Sequence, residues 1–107
     1  MSSKNIQFRD SKIIVTYDLS DNDISAQEIA KASNGTFYAN IYIEGNDTYK
    51  LPNTTLISYK NISAESAVMK FKESFNNAKK RKFLSFSRIS RIFAFEINGE
   101  KGYIEEH

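Results

Sequence analysis

Ala64, Ala67, Val68, Phe71, Phe75 and Ala78 recur at i, i+3, i+4 and i+7 spacing and write one apolar stripe along a helix. The opposite face carries Lys70, Lys72, Glu73, Asn76, Lys79 and Lys80, and Ser63 stands in the N-cap position. A helix of this kind gains most of its stability by laying its stripe on another layer, so the chain must supply a surface for it.

The rest of the chain offers a sheet. In residues 12–19 Ile13, Val15, Tyr17 and Leu19 share one face, and Lys12, Ile14, Thr16 and Asp18 share the other. A second strand is expected over 36–44, with Phe37, Ala39, Ile41 and Ile43 facing the core and Tyr38, Asn40 and Tyr42 opposite. Gly45-Asn46-Asp47 reads as a turn, and Pro52 moves the third strand to 54–60. The last strand spans 89–97, with Phe93, Phe95 and Ile97 on one face. Asn98-Gly99 is a type I′ turn signal, after which 100–104 is expected to fold back as a short edge strand.

Between the first two strands, Ser25 and Glu28 form a capping box, and Ile24 and Ile29 have the spacing of a hydrophobic staple. Asn34-Gly35 supplies a left-handed stop. The order βαββαβ predicts an α+β protein, a ferredoxin-like two-layer sandwich with both helices on one face of an antiparallel sheet. Residues 1–11 read as a flexible arm or edge strand and 12–107 as one domain.

The 107 residues suffice for one core without staples, and 8 Phe and 6 Tyr favour a packed globule. With no Cys there are no disulfides, thiolate nucleophiles or Cys-based zinc sites. No apolar run suggests a signal sequence or a membrane span, which points to a cytoplasmic protein with no membrane partner. The four glycines form no phosphate-binding loop, and the single histidine is residue 107, so a histidine-based triad is not indicated.

Asp18 is the sharpest chemical candidate. It ends the first strand on the face that two helices on the other side would leave open. A carboxylate there could be a catalytic Mg²⁺ ligand, with a homodimer supplying its symmetry mate. Equally, it could simply end the strand beside an acidic turn, and Asp21 and Asp23 read as loop and pre-helix residues. Lys79, Lys80, Arg81, Lys82, Arg88 and Arg91, interleaved with Phe83 and Phe86, have the pattern of a nucleic-acid patch. A helix end with dipole-complementing cations explains the same run. Tyr38 and Tyr42, with Tyr59 nearby, could stack bases or be buried in an interface.

Tyr17-Asp18 at the end of the first strand, together with the element order, resembles the small CRISPR-associated spacer-acquisition subunit and its relatives. These include the virulence-associated protein D toxins, the GhoS-type antitoxins and SinR-like small proteins. LPNTTLISYKNISAESAVMKFKESF (51–75) looks like their strand-then-helix half. The resemblance implies a ferredoxin-like homodimer acting on RNA or DNA, with Asp18 as the family aspartate of a metal-dependent endoribonuclease. The alternative expectation is a non-catalytic antitoxin or phage-type inhibitor that binds a protein partner through its open sheet face.

Overall fold

A computed structural model describes residues 2–7, 12–42, 47–82, 85–97 and 101–106. The architecture is α+β. Its elements are β1 (Ser2–Gln7), β2 (Ile13–Leu19), α1 (Ala26–Lys31), β3 (Asn40–Tyr42), β4 (Thr48–Lys50), β5 (Thr55–Ser58), α2 (Ala64–Arg81), β6 (Ile89–Glu96) and β7 (Lys101–Glu106).

β2 is the centre of an antiparallel sheet of order β5-β2-β6. Its alternation does what the sequence predicts: Ile13, Val15 and Tyr17 are buried, and Asp18 is exposed. The buried face carries both helices. Ile13, Val15, Tyr17 and Leu56 of the sheet pack with Ile29 of α1 and with Ala67, Phe71, Phe75 and Ala78 of α2. The expected caps are also in place. Ser25 Oγ accepts from the Glu28 amide at 3.2 Å, and Glu28 Oε1 accepts from the Ser25 amide at 2.9 Å. Ser63 Oγ accepts from the Ser66 amide at 3.1 Å. Asn34 and Gly35 turn the chain at φ 53° and 83°, the left-handed region that a Cβ disfavours.

Two expectations need correction. Within 36–44, the described residues 36–42 do not form one continuous strand. Tyr38 makes a single antiparallel bridge to Ile57, the chain bends at Ala39, and β3 then pairs with β4 as a separate ribbon. The bend also changes where Ile41 goes. It leaves the face shared by Phe37 and Ala39 and joins Leu51 and Ile57 in a second buried cluster, with Tyr49, Tyr59 and Ile97 packed around it. Because Ile57 lies opposite Ile14, this cluster is on the face away from the helices. Part of the face expected to be open is therefore covered.

The second correction concerns the C-terminal strand. β7 pairs antiparallel with β1, Ser2 opposite Glu106 through Gln7 opposite Lys101, where a fold-back onto β6 was expected. The strand in 2–7 favours the edge-strand reading of the arm. The turns expected at Gly45-Asn46 and Asn98-Gly99, along with Ile43, Phe83 and His107, lie outside the described residues. Among the described residues no helix is long and apolar enough to cross a membrane.

Tyr17 packs against Phe71 at 4.6 Å between ring centroids, and it is only 4% exposed. Its hydroxyl is buried with no hydrogen-bond partner among the described residues. Burial pushes its pKa from the ordinary 10.0 to about 12. The folded state thus holds this proton to higher pH than the unfolded chain does. Its contribution is intact below pH 10 and declines as pH rises through about 12. Tyr17→Phe removes an unsatisfied polar atom without changing the ring. It is expected to raise the unfolding free energy by about 1 kcal/mol and to flatten the alkaline decline, both read by denaturant titration across pH.

Candidate nucleic-acid interface

The register of β2 against β6 decides what the uncovered part of the sheet displays. Ile14 lies opposite Phe95, Thr16 opposite Phe93 and Asp18 opposite Arg91. Alternation puts all six on the face away from the helices, while Ile92 and Ala94 turn toward the core. Phe93 is 63% exposed and Phe95 40%, with ring centroids 5.4 Å apart and planes tilted by 56°. A bulge between Asp18 and Leu19 ends the regular pairing beyond Arg91.

Asp18 does not stand alone. Arg91 Nε donates to its Oδ2 at 3.1 Å, and Nη2 of the same guanidinium lies 3.0 Å from that oxygen. The Asp18 side chain is 58% exposed and that of Arg91 83%, so this is a surface ion pair worth at most about 1 kcal/mol. Thr16, Tyr17, Thr54 and Phe93 join them around a shallow depression of about 330 Å³. Thr54 adopts φ 63°, strained for a β-branched residue, while its carbonyl accepts from the Tyr17 amide at 3.1 Å. Among the described residues no three His, Cys, Asp or Glu side chains come together as a metal-binding group. One carboxylate already engaged by a guanidinium is a poor start for a cation site within one chain.

The six basic candidates are divided by the fold. Lys79, Lys80 and Arg81 occupy the last turn of α2, in the helix layer, where they complement its dipole. Lys79 also lies over the Phe75 ring, 5.7 Å from its centroid. Lys82 ties this end to the helix-1 region. Its Nζ donates to the Asp23 carbonyl and pairs with Glu28 Oε1 at 3.2 Å. The Ser25 amide holds the Glu28 carboxyl below its usual range against the opposing effect of burial, and the Lys82 ammonium adds to the lowering. Arg88 is exposed where the chain enters β6, and Arg91 is on the open sheet face.

The acidic loop serves the same junction, for the Asp21 carbonyl accepts from Ser87 Oγ at 2.8 Å. Tyr38 is 45% exposed and meets Tyr59 edge-on at 5.4 Å. It sits across the sheet from Phe95, with Ile57 and Ile14 between them in the register. Tyr42 is in β3 opposite Thr48. A groove of about 530 Å³ between α1 and residues 35–40 is lined by Lys31, Phe37, Tyr38 and Asn40, but its one carboxylate, Glu28, is occupied by the cap and Lys82.

The sequence reading missed Phe93 and Phe95 as surface residues and Arg91 as the partner of Asp18. The 89–97 segment is apolar on both faces, so alternation alone could not say which face the helices cover. No family model, curated protein or solved structure matches the chain.

Proposed function

We propose that this protein is a non-catalytic binder of single-stranded nucleic acid, RNA in the first instance, working through the open face of its sheet. The observation that carries the reading is the pair Phe93 and Phe95, exposed side by side one step along β6 from Arg91. Flat apolar rings with a neighbouring guanidinium suit stacked bases and a phosphate together. Phe86 is also 75% exposed, so in residues 86–95 Arg88 and Arg91 lie between exposed aromatics. The reading includes a ferredoxin-like βαββαβ core. It is supported by the order β6-β2-β5 with the Tyr38 bridge outside β5.

In this account Arg91 is the phosphate-contacting group and Asp18 its competitor. Asp18→Ala frees the guanidinium and removes a like charge from the ligand's path. RNA affinity is expected to rise by up to about fivefold, roughly 1 kcal/mol, while Arg91→Ala weakens it. Anisotropy titration of a labelled oligonucleotide at low salt reads both changes. The competing reading is a Mg²⁺-dependent endoribonuclease in which Asp18 exchanges Arg91 for the cation, favoured by the strained Thr54 beside that carboxylate. Cleavage by the wild type with Mg²⁺, lost in Asp18→Ala, would establish that reading and remove ours. Absence of RNA binding even at low salt would instead leave the face to a protein partner.

A further inference from the structure

β6 has a second surface, its outer edge. Ile97 donates to the Lys12 carbonyl at 2.9 Å, and antiparallel pairs alternate along the ladder. The N–H and C=O groups of Phe93 and Phe95 are therefore turned to β2, and those of Ile92, Ala94 and Glu96 point away from it. Among the described residues no strand pairs with that side. Such an edge is ordinarily blunted by Pro, Lys, an inward charge or a bulge. Residues 91–96, RIFAFE, contain no Pro or Lys, and the only register shift lies before them.

We infer that this edge pairs with the same edge of a second copy about a two-fold axis near Phe93, making one continuous antiparallel sheet. Charge favours this occupant over an arbitrary strand. β6 is entered by Arg88, carries Arg91 early and ends on Glu96. Any antiparallel self-pairing thus brings the basic end of one copy toward the acidic end of the other. Centred on Phe93, the pairing sets Phe93 against the partner's Phe93 and Arg91 against the partner's Phe95, an aromatic pair flanked by cation–π contacts. Ile92 and Ala94 exchange backbone bonds across the seam while the phenylalanine faces stay on the open side. The two aromatic strips then adjoin. That last consequence, a platform of doubled length, rests on the nucleic-acid reading; the pairing does not.

The test is sedimentation velocity of the full chain over a concentration series, for the wild type, Phe93→Lys and Ala94→Pro. Phe93→Lys changes an exposed side chain and sets like charges opposite each other at the seam. Ala94→Pro deletes an outward N–H that an edge strand of a monomer can lose. The expected result is a wild-type dimer whose dissociation constant rises at least about tenfold in both variants, with unchanged far-UV circular dichroism. Should Ala94→Pro disturb the fold, Phe93→Lys decides. A wild type that stays monomeric overturns the inference, as does a dimer that Phe93→Lys leaves intact. RNA titration of the same samples keeps the two readings apart. A monomer that binds RNA through Phe95 sinks only the dimer, and a dimer without RNA affinity sinks only the nucleic-acid reading.

Discussion

Phe71→Ala is expected to lower the unfolding free energy by about 3–5 kcal/mol. Phe71 is fully buried and links three parts of the chain. Its ring lies 4.6 Å from that of Tyr17 on β2, and 6.4 Å each from Phe37 after α1 and Phe75 one turn along α2. Removing it loses the transfer energy of the ring and leaves a cavity between the two layers. The surrounding rings can close it only by leaving their own contacts. A domain of this size has a total of roughly 5–15 kcal/mol, so a large share of its stability goes with one side chain. Urea denaturation measures the loss directly. A change below about 1 kcal/mol would mean that the helix layer is not seated on β2 through this residue.

The second large effect is on binding. Replacing Phe93 and Phe95 together by Ala is expected to weaken single-stranded RNA binding about 30-fold or more, since base–aromatic stacking is worth about 1–3 kcal/mol per base. Both side chains are exposed, and Ile92 and Ala94 hold the core side of β6. The melting temperature should therefore stay close to that of the wild type. This separation of affinity from stability distinguishes a binding surface from a core residue that happens to be partly uncovered. The same double change leaves Arg91 in place, so residual binding should keep most of its salt dependence.

The sequence was informative where one local rule determined one feature. The capping box at Ser25 and Glu28, the left-handed turn at Asn34-Gly35 and the stripe ending at Ala78 all occur where their chemistry requires. The alternation of β2 correctly separated Tyr17 from Asp18. Legibility failed where a choice was tertiary. Phe37, Ala39 and Ile41 have perfect period-two spacing, yet the bend at Ala39 sends Ile41 to the opposite face, because pairing of β3 with β4 covers Ile57. The basic run from Lys79 to Arg91 looked like one patch because it is contiguous in sequence. The chain turns between α2 and β6, leaving Lys79–Arg81 on the helix layer and Arg91 on the sheet. Asp18 was placed well by its strand, but its meaning depends on Arg91, a partner 73 residues away that only the β2–β6 register reveals.

The most direct test of the account is a low-salt anisotropy titration of a labelled single-stranded RNA against the wild type and the Phe93→Ala/Phe95→Ala double variant. The account predicts saturable wild-type binding that falls as salt rises, and a loss of about 30-fold or more in the double variant with its fold retained. Equal affinity of the two proteins, or no binding by either, would contradict it.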